Sequence, residues 1–101
     1  MALNPTQFLA SIDADTSAAF TQLRKAVMKS GPLDEKTCEL IVTAGFAAAG
    51  SEASFKTHAK RLFALGATAE EIRQAVLVTF AATTVFSDVV IALRWIDECA
   101  A

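Results

Sequence analysis

Glu39, Ser51, Ser54 and His58 are the residues of this 101-residue chain whose types and spacing could carry chemistry. His58 is the only histidine, and it follows Ser51 and Ser54 at steps that place all three on one face of a helix, near its N-terminal end. A substrate touching the imidazole would also reach both hydroxyls, and the helix N-terminus favours an anion, so a small anionic organic substrate is expected. If the helix carrying Glu39 folds back across Gly50, Glu39 lies about three turns before the corner and His58 about two turns after it. The carboxylate can then orient the imidazole and fix its tautomer, as a general acid or base requires. Val42, Thr43 and Phe46 continue the face of Glu39, an apolar surface on which an idle carboxylate would be costly. Glu39 and His58 are therefore the candidate catalytic pair, with Ser51, Ser54, Thr43 and Phe46 as pocket lining.

Each of these residues also has an ordinary reading. Glu39 could pair with Lys36 one turn back, His58 could be a partly buried core histidine, and Ser51 after a helix-ending glycine is an expected N-cap. Ser54 as a nucleophile would need an oxyanion hole that nothing in the chain announces. Lys56, Lys60 and Arg61 could attract an anion, yet Glu52 and Lys56 form an i,i+4 surface pair, which favours a solvated face. Cys38 and Cys99 are far apart, in neither a C-x-x-C nor a metal-ligand spacing, and read as reduced, intracellular thiols. Cys38 is expected to be buried and inert, and Cys99 to lie in a fraying tail. One histidine without a cluster of carboxylates or thiolates calls for no metal, and no cofactor is implied.

The elements that must position these residues are helical throughout, with no alternating β-branched run, so the fold class is all-α with five to six helices. Asn4 and Pro5 start a short helix to about Ile12. Asp15 and Thr16 can cap a second, with Phe20, Leu23, Val27 and Met28 along one face, stopped by Gly31 and Pro32. Asp34 caps a third helix to Ala49, with Leu40, Ile41, Ala44 and Ala48 as the expected packing stripe. Gly50 ends it, Ser51 begins a fourth to about Leu65, and Gly66 sits where a left-handed cap belongs. Thr68 with Glu71 matches a capping box, so a fifth helix starts at Ala69. A break is expected near Thr83 and Thr84, then a last helix through Trp95, read as core or interface, to about Glu98.

The length suits one domain, 1–101, and is too short for two. With 53% hydrophobic residues, a monomer would leave much apolar surface in water, which predicts a homo-oligomer. The run from Ile72 to Phe86, apolar nearly all round, is expected to be buried in the domain and against a partner subunit. A net charge of −2 supplies no field for a phosphate backbone, so nucleic acid is not expected. The apolar run from Ala75 to Val85 is too short to span a membrane, and Asn4, Pro5 and Asp13 interrupt any signal-like segment. A soluble cytoplasmic protein is expected.

Three segments together carry a family resemblance: L-D-E-K-T-C-E-L-I from Leu33, G-S-E-A-S-F-K-T-H from Gly50, and G-A-T-A-E-E-I from Gly66. They resemble the L-D-x-K-x-x-E-L-I, G-C-x-x-C-x-x-x-H and G-A-T-x-E-E-I of the carboxymuconolactone decarboxylase family, which includes the alkyl hydroperoxide reductase D-like proteins. The likeness covers residues 33–96, with Glu39 and His58 at the positions of the family's glutamate and histidine and Ser51 and Ser54 at those of its two cysteines. It implies an oligomeric helical bundle, commonly a trimer to hexamer. Two activities go with the family: decarboxylation of 4-carboxymuconolactone, and dithiol-dependent hydroperoxide reduction. A serine hydroxyl has no redox chemistry, so the peroxidase route is closed at Ser51 and Ser54 and would need another thiol, of which Cys38 is the candidate near the site. Decarboxylation needs no thiol, only a stabilised dienolate and an acid that returns a proton to carbon. The family's decarboxylases often carry a glutamate four residues before the histidine, where this chain has Ser54. The reading is a cofactor-free acid–base enzyme acting on a small organic acid or lactone. Its alternatives are an antioxidant protein with a non-standard thiol and an inactive oligomer that binds a small anion or a partner.

Overall fold

The computed structural model describes residues 4–100. Among them six α-helices follow one another, with no strand beyond an isolated bridge between Phe80 and Thr84, so the fold is all-α as expected. The chain divides into two compact units, one ending at Leu33 and the other beginning at Asp34.

The first unit pairs α1 (Pro5–Ile12) with α2 (Ala14–Met28). Asn4 closes a capping box with Gln7: its Oδ1 accepts the Gln7 N–H at 2.8 Å, and the Gln7 side chain accepts the Asn4 N–H at 3.0 Å. The second helix begins earlier than expected, because Asp13 both ends α1, donating its N–H to the Leu9 carbonyl, and stands at the N-cap of α2. Thr16 lies inside the helix and donates its hydroxyl to the Asp13 carboxylate. Ser17 is buried and reaches the Thr6 carbonyl at 3.3 Å, whereas Phe20, Leu23 and Val27 remain exposed.

The second unit consists of α3 (Glu35–Ala49), α4 (Glu52–Ala64), α5 (Ala69–Leu77) and α6 (Phe86–Ala100). Asp34 caps α3 by accepting the Thr37 N–H at 2.8 Å, and Gly50 ends it at φ 69°, a left-handed conformation that costs glycine nothing. Gly66 adopts φ 91°, and the Thr68–Glu71 capping box forms as read from the sequence. The core collects Phe55, Ala59 and Leu62 from α4, Ile72 and Val76 from α5, and Val89, Ala92, Trp95 and Ile96 from α6. Their three- and four-residue spacings turn one face of each helix inward, and each large side chain so buried contributes about 1.5–3 kcal/mol. Trp95 stacks obliquely on Phe55 with ring centroids 5.4 Å apart.

Four expectations are corrected in this unit. The inward stripe of α3 is Glu39, Thr43, Ala44 and Ala47, while Ile41 is 58% exposed. Glu39 can occupy the stripe because it has a partner across it, and Thr43 because its hydroxyl is satisfied on its own helix, both of which a search for apolar periodicity overlooks. The break after α5 comes at Val78, ahead of Thr83 and Thr84. Thr79 drives it: its hydroxyl donates to the Val76 carbonyl at 2.7 Å, and its own carbonyl accepts the N–H groups of Ala82, Thr83 and Thr84. Ala81 then turns the chain at φ 64°. Of the apolar run, Ile72 and Val76 are buried, but Leu77, Val78, Phe80, Val85 and Phe86 are exposed. At the C-terminus α6 continues through Cys99 to Ala100, and Cys99 packs against the core instead of fraying.

A candidate acid–base site between two helices

The connection through Gly50 and Ser51 makes α3 and α4 a helical hairpin, and α4 turns a mixed face inward. Phe55, Ala59 and Leu62 on that face enter the core, and His58 is carried in with them. Facing it on α3, one turn before Thr43, is Glu39. The two polar side chains meet: Glu39 Oε2 lies 2.7 Å from His58 Nδ1, with side chains only 8% and 11% exposed. An ionised carboxylate only accepts, so Nδ1 donates, and the ring's remaining nitrogen, Nε2, is left for other work. Neither Nε2 nor Glu39 Oε1 has a hydrogen-bond partner among the described residues.

Two neighbours hold this pair. The ring of Phe46 lies 5.1 Å from the imidazole, centroid to centroid, tilted by 34°, and so fixes the plane of the histidine. Thr43 is fully buried and does not line an open pocket; its hydroxyl donates to the Glu39 carbonyl at 2.7 Å. That bond was legible in the spacing, since a threonine on a helix commonly bonds the carbonyl four residues back.

Lys36, the ordinary partner considered for Glu39, instead pairs with Glu71 of α5 at 2.8 Å. That ion pair, followed by the Thr68 N–H, holds the Glu71 carboxyl below its usual value. Ser51 and Ser54 are half-buried at the start of α4. Ser51 stands at the N-cap but forms no capping bond, because its backbone, at ψ 89°, departs from the extended geometry seen at Asp34 and Thr68. No hydrogen bond joins either serine side chain to His58 among the described residues.

The basic residues beside His58 are engaged elsewhere in part. Lys56 binds Glu52 and also Glu98 of α6, each at 2.8 Å, and these carboxylates raise its pKa above the ordinary lysine range. The Glu98 contact could not be read from sequence, because only the fold brings α6 there. Cys99 donates to the Lys56 carbonyl at 3.9 Å, and burial pushes its thiol pKa up, away from a reactive thiolate. Cys38 is half-buried, and neither cysteine is in a disulfide.

An open cavity of about 370 Å³ is lined by residues 80–86 and includes neither Glu39 nor His58. Among the described residues no group of three or more histidines, cysteines and carboxylates could hold a metal ion, and no helix is long and apolar enough to cross a membrane.

No curated protein and no solved structure matches the chain significantly. The family model described as the carboxymuconolactone decarboxylase family matches residues 14–98, taking in α2 as well as the segments quoted above, and the chain belongs to that family.

Proposed function

We propose that the protein is a cofactor-free lyase of the carboxymuconolactone decarboxylase type, acting in the cytoplasm by acid–base catalysis on a small organic acid or lactone. The observation that carries this reading is the buried contact of 2.7 Å between Glu39 Oε2 and His58 Nδ1. Glu39 holds Nδ1–H, so the ring presents Nε2 to the substrate in one tautomer and orientation. Loss of carbon dioxide from an unsaturated lactone acid leaves a dienolate. A proton on Nε2 passes to the substrate carbon, and the neutral ring then recovers a proton from water. Through the same steps the Glu39 carboxylate balances the imidazolium. Ser51 and Ser54 would line the approach and exchange hydrogen bonds with the substrate's oxygen atoms.

A decarboxylation assay with 4-carboxymuconolactone tests this. Wild type should release carbon dioxide, and His58→Ala should be slower by roughly 10²–10⁴-fold, the usual contribution of a positioned acid or base. Equal rates in the two proteins, or none in either, would remove His58 from the mechanism. The antioxidant alternative would rest on Cys38, and undiminished hydroperoxide turnover in Cys38→Ala with a dithiol reductant would exclude that thiol.

A further inference from the structure

His58 is held by more than the partners of its ring. Two of the three residues before it on α4 are gripped by the end of α6. Phe55 is fully buried against Trp95, with ring centroids 5.4 Å apart. Lys56 is held at two points by consecutive residues: its Nζ meets the Glu98 carboxylate at 2.8 Å, and Cys99 Sγ lies 3.9 Å from its carbonyl. The other ion pair of Lys56, with Glu52 at 2.8 Å, stays within α4 and cannot orient that helix.

Successive residues of an α-helix point about 100° apart, so Lys56 and His58 leave α4 about 200° apart, on opposite sides. On one side α6 holds Lys56, and on the other Glu39 and Phe46 of α3 hold His58. Rotation of α4 about its own axis is therefore resisted from both sides. The magnitude matters: a turn of about 10° carries a side-chain tip, roughly 5–6 Å from the axis, through about 1 Å. That is enough to take the 2.7 Å contact between Glu39 Oε2 and His58 Nδ1 out of hydrogen-bonding reach.

We infer that Lys56 and Glu98 are positioning residues for His58: through them α6 fixes the rotation of α4 and keeps Nδ1 against Glu39. The effect on rate rests on the acid–base function proposed above, whereas the orientation of the ring is measurable without turnover.

Nitrogen NMR of the full chain tests it, because His58 is the only histidine and its ring gives a single pair of nitrogen signals. These signals report the share of neutral rings that carry their proton on Nδ1, the form that Glu39 selects in wild type. Glu98→Ala should reduce that share and lower kcat roughly 2–5-fold with KM unchanged, the range of a single exposed ion pair. Glu98→Gln, whose amide oxygen still accepts from Nζ, should restore most of both. Glu52→Ala removes an equally short ion pair from the same ammonium without touching α6, and should leave the ring signals and kcat as in wild type. Ring signals in Glu98→Ala identical to those of wild type, an equal effect of Glu52→Ala, no recovery in Glu98→Gln, or a kinetic change confined to KM would each overturn the inference. If wild type shows no turnover while its ring signals respond to Glu98→Ala alone, the positioning stands and only the decarboxylase function falls.

Discussion

Glu39 Oε2 and His58 Nδ1 are 2.7 Å apart although nineteen residues separate them along the chain. The contact exists because a glycine at φ 69° turns α3 into α4, and because the inward faces of the two helices carry Glu39 and His58 opposite each other among mostly apolar neighbours. Burying either group alone would be unfavourable; together they satisfy one another.

This mutual dependence separates two substitutions at Glu39. Glu39→Gln keeps an oxygen that accepts from Nδ1 but removes the charge, so the fold should persist while activity falls roughly 10–100-fold, the usual effect of losing the group that orients a working histidine. Glu39→Ala leaves Nδ1 without a partner and should cost about 1–3 kcal/mol of stability as well. Urea unfolding beside turnover measurements distinguishes the two. A Glu39→Gln protein with unchanged turnover would show that the charge has no part in catalysis.

Phe46 faces the imidazole at 5.1 Å and restricts its plane. Aromatic pairs contribute about 0.5–1.5 kcal/mol beyond area burial, so Phe46→Leu, which keeps the site apolar, should lower kcat roughly 2–10-fold with little change in KM. A change confined to KM would instead place Phe46 in substrate binding.

The segment after α5 stores two local costs. Ala81 has φ 64°, which disfavours a side chain by about 1–2 kcal/mol, against the roughly 0.5–1 kcal/mol of extra chain entropy that glycine loses. Ala81→Gly should therefore stabilise slightly, by up to about 1 kcal/mol. Thr84 Oγ1 is buried without a hydrogen-bond partner, so Thr84→Val, nearly the same shape, should stabilise by about 1 kcal/mol or more. Thermal unfolding of both variants checks this, and destabilisation by Thr84→Val would show that the hydroxyl has a partner in solution.

Acid should weaken the second unit in a defined window. Lys36, and after it the Thr68 N–H, lowers the Glu71 pKa from its ordinary 4.5. The hydroxyl and N–H of Thr37 likewise lower the Asp34 pKa from 3.8. A carboxyl whose pKa is depressed by folding contributes stability that is present above its unfolded value and lost as pH falls through the folded one. Stability should thus hold down to about pH 4.5 and then decline. Because both carboxyls are exposed, the decline from these two groups is expected to be shallow and reduced by salt. Lys36→Met should flatten the Glu71 part of it, and an identical acid profile in that variant would assign the loss to other carboxyls.

Local signals in the sequence already determined most of the helix ends: Asn4 and Pro5, Asp34, Gly50, Gly66, and Thr68 with Glu71 act through backbone geometry and hydrogen bonds within a few residues of themselves. The order of chemical groups from Glu39 to His58 was legible for the same reason, since helical pitch and a glycine corner fix which side chains can face each other. Other features depended on neighbours distant in sequence, and only the tertiary structure decided them. Whether Lys36 would choose Glu39 or Glu71 turned on where α5 packs, and the second partner of Lys56 on where α6 passes. The inward turn of Glu39 in place of Ile41 followed from the His58 that faced it across the hairpin. Periodicity reports which residues share a face, whereas burial is set by the surface that the face meets.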